Sequence, residues 1–158
     1  MRKNLIAAVA LVTAGMAAPA FADTTLHVFL WDAMETMDMV DNHTIGNDDD
    51  RSTDVMGVTV NSTVIPAGKV TFDVINASTD SEHEMVVTKL SVPDGTLPYD
   101  AEAMRVDEEA AGSKGEVSEL PPGEKGALTV TLEPGTYVLY CNIEGHYAAG
   151  MWTEITVK

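Results

Sequence analysis

Gly135-Thr-Tyr-Val-Leu-Tyr-Cys141-Asn-Ile-Glu-Gly-His146-Tyr-Ala-Ala-Gly-Met151-Trp152 stands near the end of a 158-residue chain. Its first third alternates, so that Tyr137, Leu139 and Cys141 fall on one face of an extended strand. The rest of the stretch places Cys141, His146 and Met151 at C-x4-H-x4-M. A thiolate, an imidazole and a thioether gathered on one loop form a soft, mixed nitrogen–sulfur donor set. Such a set suits copper cycling between its two oxidation states and suits magnesium, calcium or structural zinc poorly. A second imidazole is offered by Asn76-Ala-Ser-Thr-Asp-Ser-Glu-His83, where His83 heads another apolar run. Two histidines, one cysteine and a weak axial methionine make the donor set of electron-transfer copper sites.

Outward from this loop the same period of two recurs. Val70, Phe72 and Val74 share a face in Lys69-Val-Thr-Phe-Asp-Val-Ile75, and Leu128, Val130 and Leu132 do so in Ala127-Leu-Thr-Val-Thr-Leu132. These read as half-buried antiparallel strands, with further strands expected over 25–31, 55–60, 83–90 and 152–157. Turn signals separate them at Ile65-Pro-Ala-Gly68, Pro93-Asp-Gly95, Pro121-Pro-Gly123 and Glu133-Pro-Gly135. Short strands at this spacing predict an all-β sandwich or barrel. Two stretches depart from the pattern. Residues 38–54, acidic and rich in Asn, are expected to form a loop. Residues 99–111 carry helix formers and are expected to hold a short helix between strands. No internal repeat is present.

The first residues read as an export signal. Arg2 and Lys3 precede a short apolar run over 5–18, and Ala20-Phe21-Ala22 is a small-x-small cleavage site. Cleavage there leaves 23–158 as one mature domain, exported to the periplasm, with 23–54 supplying an N-terminal strand and a loop rich in Met and acids. The apolar run is too short to be read as a membrane span. Cys141 is the one cysteine, so it has no partner for an internal disulfide in an oxidising compartment, and metal ligation accounts for it. The chain holds 25 acids against 9 Lys and Arg, a net charge of −16, and loss of the leader with its two basic residues takes this to −18. That balance argues against nucleic acid and anionic membranes as partners. It fits equally well with solubility and with steering toward a basic partner.

At the residue level the loop Cys141-Asn-Ile-Glu-Gly-His146-Tyr-Ala-Ala-Gly-Met151 resembles that of the cupredoxins, the type 1 blue-copper proteins, and most nearly the rusticyanin, sulfocyanin and auracyanin kinds. Ile65-Pro-Ala-Gly-Lys-Val-Thr-Phe72 and the stretch from Asn76 to His83 are also in keeping, and the resemblance spans roughly 58–158. It implies a Greek-key β-sandwich holding one type 1 copper ion on His83, Cys141, His146 and Met151. It further implies that electrons pass at the His146 edge, ringed by Tyr147, Ala148 and Ala149. Glu84 is a departure, since Asn or Ser often follows the first histidine, and strand alternation would aim its side chain away from His83.

The expected function is a one-electron carrier between a donor and an acceptor among periplasmic redox proteins, monomeric and without a catalytic site of its own. The alternative is a copper-binding or copper-tolerance protein that sequesters or delivers the metal. It is motivated by Met34, Met37 and Met39 with His27 and His43, a cluster able to form a second soft-metal site. Packing of those methionines against the sandwich is the plainer reading. The run Asn47-Asp-Asp-Asp50 is better read as solvated charge than as a calcium loop. An oxidase or reductase would need more histidines around a second copper, and only His27 and His43 are spare.

Overall fold

The computed structural model describes residues 23–33, 55–92 and 95–158. The export signal, Met34, Met37, Met39, His43 and the acidic run therefore lie outside the described residues.

Among the described residues, eleven strands and one helical turn run in order: β1 Thr24–Asp32, β2 Met56–Val60, β3 Val64–Ile65, β4 Gly68–Asn76, β5 His83–Lys89, β6 Tyr99–Asp100, β7 Arg105–Val106, α1 Glu108–Ala111, β8 Ser113–Leu120, β9 Lys125–Leu132, β10 Gly135–Tyr140 and β11 Trp152–Val157. One sheet has the order β2-β1-β4-β9 and the other β3-β11-β10-β5-β8, while β6 and β7 form a separate ribbon. The chain crosses between the sheets after β2, β3, β4, β8 and β9, as Greek-key sandwiches require.

The inward residues close one core between the sheets. Leu26, Val28 and Leu30 from β1 and Val70, Phe72 and Val74 from β4 face Met85, Val87, Tyr137, Leu139 and Ile155. Cys141 and Met151 belong to this same cluster, so two of the expected copper ligands sit at the end of the core.

Two expectations about the strands need correction. They are not uniformly antiparallel: β1 runs parallel to β4, and β3 parallel to β11. Nor are the strands that carry the site half-buried. Val86, Val138 and Tyr140 on the outer face of β5 and β10 are covered by Leu90, Leu97, Val106, Tyr147 and Trp152 in a second apolar cluster. The segment after β5 wraps over that face, so both sides of β5 and β10 are dry.

The short helix expected within 99–111 is the single turn α1 at its end. Residues 99–106 form a ribbon instead, reversing through Met104 at φ 50°. The Asp107 side chain caps α1 by accepting from the Ala110 amide, and Gly112 ends it in the left-handed region at φ 70°. A short helix without an apolar face to bury is marginal in water, and the ribbon buries Val106. β8 has no counterpart among the expected strands. Its sequence Ser-Lys-Gly-Glu-Val-Ser-Glu-Leu buries only Val117 and Leu120, as an edge strand allows.

Candidate metal centre

Cys141 lies one residue beyond β10 and is fully buried. Its amide donates to the Met151 carbonyl at 3.0 Å, and the Met151 amide donates to the His146 carbonyl at 3.0 Å. Within the loop His146 N–H reaches the Ile143 carbonyl at 2.9 Å and Ala149 N–H the Gly145 carbonyl at 3.0 Å. Gly145 and Gly150 turn the chain at φ 82° and 92°, a region costly for other residues, which accounts for glycine at both places. The loop is thus closed by its own main chain before any ion is considered.

Two polar side chains brace the segments that carry the donors. Asn142 accepts from the Val106 amide at 2.7 Å and donates to the Val106 carbonyl at 3.0 Å and to Glu108 at 2.8 Å. Asn76 donates to the carbonyls of Ser81 and Leu120, both at 2.8 Å, and accepts from the Ser78 amide at 3.0 Å. It braces the turn that delivers His83 to the start of β5. A register irregularity between His83 and Met85 sets that histidine apart from the regular ladder.

The donors converge. One nitrogen each from His83 and His146 and the sulfur of Cys141 all lie within 4.8 Å of one another, and this is the one such group among the described residues. His146 Nδ1 stands 3.3 Å from Cys141 Sγ and 3.3 Å from His83 Nδ1. Ligands held about 2.0–2.3 Å from a single ion lie about 3.5 Å apart. The two imidazoles meet edge to face, with ring planes at 66°. Met151 is fully buried and belongs to the same core cluster as Cys141.

The electrostatics prepare the donors for a cation. Burial and the neighbouring His83 push His146 down to about 4, and burial also lowers His83, so both imidazoles are neutral at pH 7. Burial pushes the Cys141 thiol up to about 12. Two backbone N–H groups, of Glu84 at 3.4 Å and of Ile143, oppose that rise without overcoming it. A thiol this weakly acidic stays protonated at neutral pH until a bound metal displaces the proton to solvent.

Four features of the site escaped the sequence. The Glu84 backbone contacts the sulfur whatever its side chain does. The Glu84 carboxyl is only 6% exposed and is pushed up to about 7 by burial and by Glu108, Glu116 and Glu119. Asn142 and Asn76 are anchors that no spacing rule marks. Asp32, at the far end of β1, accepts from His83 Nε2 at 3.2 Å. His27 is placed on β1, half-exposed and paired with Asp73 at 3.0 Å. It stands five residues from Asp32, about 17 Å along the strand.

Rusticyanin from Thiobacillus ferrooxidans is 21% identical, with 86% of this chain and 77% of that one covered at a TM-score of 0.55. Auracyanin B is likewise 21% identical over 92% of this chain and 95% of its own, at a TM-score of 0.51. Both likenesses establish the cupredoxin fold. No protein in the curated set matches at a significant level. The family model described as copper binding proteins, plastocyanin/azurin family, matches residues 38–158. With its donors spaced for a single ion and its fold shared with these proteins, the chain belongs to that copper-binding family, and His83, Cys141 and His146 fit one type 1 copper ion.

Proposed function

We propose that this protein is a one-electron carrier, exported as the single domain 23–158 and working in the periplasm between a donor and an acceptor protein. His83, Cys141 and His146 would hold the ion, with the Met151 thioether as a fourth, weaker donor. The observation that carries the reading is the convergence of the three donors within 4.8 Å, from a loop and a strand 58 positions apart. When bound, copper supplies a reversible one-electron change.

The chain's own residues do the rest. The main-chain bonds of the 141–151 loop, with Asn76 and Asn142 behind it, hold the donors in one geometry, which keeps small the rearrangement that accompanies electron gain. The N–H groups of Glu84 and Ile143 point at the sulfur and stabilise its anionic form. His83, Cys141 and Met151 are fully buried, whereas His146 is partly exposed. The His146 imidazole is therefore the ligand through which a partner makes its approach. A monomer suits such a carrier, since each partner uses the same small patch in turn. No helix among the described residues is long and apolar enough to cross a membrane. Met151, bound as a fourth donor, would fill the position a substrate would need, which supports a carrier over an enzyme.

The test is to add Cu(II) to the apo protein, record the visible spectrum, and titrate with reductant and oxidant. An intense thiolate-to-copper band that bleaches and returns, and that is lost in Cys141→Ser, is expected. A copper form that cannot be cycled without losing its metal overturns the reading.

A further inference from the structure

β1 ends inside the copper site. The Asp32 side chain is 5% exposed, and its Oδ2 stands 3.2 Å from Nε2 of His83, whose own side chain is fully buried. The other ring nitrogen of His83, Nδ1, is the one that faces His146. One imidazole thus has its two nitrogens committed to opposite sides. Asp32 is itself tethered: Ser78 Oγ–H donates to the same oxygen at 3.1 Å, and the Ser78 oxygen accepts from the amides of Asp80 and Ser81. With the Ser78 hydroxyl and the His83 Nε2–H both directed at Oδ2, Asp32 sits in a cage of donors that suits a carboxylate.

We infer that Asp32 is a positioning residue that fixes the His83 tautomer and, as a buried anion acting through that imidazole, sets the copper reduction potential low. Three physical steps lead there. First, a carboxylate on Nε2 obliges that nitrogen to carry the proton, which leaves Nδ1 as the free lone pair facing the other donors. Second, an N–H that leans on an anion makes its ring a stronger donor, as in the carboxylate–histidine–metal arrangement. Third, a negative charge in a site of low dielectric favours the ion of higher charge, so Cu(II) gains more than Cu(I). The parallel pairing of β1 with β4 carries this out structurally. It sets Leu30 beside Asn76 and leaves Asp32 two residues further, level with the turn that bears Ser78 and Ser81.

The inference rests on the copper reading above, and the experiment separates the two. Asp32→Asn keeps an oxygen acceptor of the same shape and removes the charge. Loss of an outer partner of this kind changes metal affinity by about 10–100-fold. At the lower end, with the loss confined to Cu(II), the Cu(II)/Cu(I) affinity ratio falls about tenfold, and the midpoint rises by about 59 mV for a one-electron couple. The measurements are the midpoint potential by voltammetry and the two affinities by competition, in wild type and Asp32→Asn. A charge-transfer band that persists with an unchanged potential overturns the role of Asp32 and leaves the copper centre standing. A wild type with no such band overturns the copper centre itself. Should Asp32→Asn fail to fold, nitrogen-15 NMR of the reduced wild type decides. A slowly exchanging, downfield Nε2–H on His83 is expected, and an unprotonated Nε2 overturns the inference.

Discussion

Replacing Glu84 by Gln should stabilise the metal-free protein at pH 8 and leave it nearly unchanged at pH 4. The Glu84 carboxyl is 6% exposed, and burial followed by repulsion from Glu108, Glu116 and Glu119 moves it from an ordinary 4.5 to about 7. A group whose folded value is raised contributes most when protonated in both states, below pH 4.5. That contribution is lost as pH rises through about 7, because the unfolded chain ionises freely and the folded one cannot. A shift of about 2.5 units corresponds to at most about 3.4 kcal/mol. Solvent screening of a site near the surface reduces this to about 1–2 kcal/mol. At about 3 °C per kcal/mol for a domain of this size, the variant should melt about 3–6 °C above wild type at pH 8. His146 acts in the opposite sense, since its lowered value removes stability as pH falls from 6.5 toward 4. It does so equally in both proteins and cancels in their difference. Calorimetry of the two apo proteins at both pH values is the assay. An equal difference in melting temperature at pH 4 and pH 8 would refute the reasoning, for it would mean that Glu84 is ionised, or solvated, throughout.

Other consequences arise from the same geometry. Copper loading should release about one proton per ion near pH 7, because the Cys141 thiol sits at about 12 in the apo protein and the imidazoles are already neutral; apparent affinity should then rise about tenfold per pH unit, measured by competition with a chelator. Asn142→Ala should cost about 2–3 kcal/mol in denaturant unfolding, since it orphans the buried amide and carbonyl of Val106. Gly57→Ala should cost about 1–3 kcal/mol and shift tryptophan emission to the red, because the added carbon would stand 2.5 Å from the Trp31 ring and force it off its bond to Thr59.

Much of the sandwich was legible because a strand with one wet face writes its burial into alternate positions. β4, with Val70, Phe72 and Val74 inward, and β11 over Trp152–Val157 lie where the pattern put them. β8 left no such mark. An edge strand can be held by its hydrogen bonds to β5 while burying only two side chains, so Ser113–Leu120 reads as polar filler. The segment over 99–111 does hold the short helix its composition suggested, but as a single turn, Glu108–Ala111, after the β6–β7 ribbon. Helix propensity is worth tenths of a kcal/mol per residue, and covering Val86, Val138 and Tyr140 with Leu97, Val106 and Tyr147 outweighs it.

The donor set was local information. Cys141, His146 and Met151 sit on one loop whose glycines and spacing advertise it, and His83 begins a strand recognisable from its own residues. The order of the residues therefore determined which atoms can meet a soft metal and which strands would carry them. What lies behind those atoms was decided only in three dimensions. The parallel docking of β1 on β4 sets Asp32 against an imidazole 51 positions away. Leu90, Leu97, Val106 and Tyr147 dry the back of β5 and β10, and the backbone of Glu84 comes to rest on the sulfur. Hydrogen bonds and charge act through distance in space, and the chain does not encode that distance in the spacing of its neighbours.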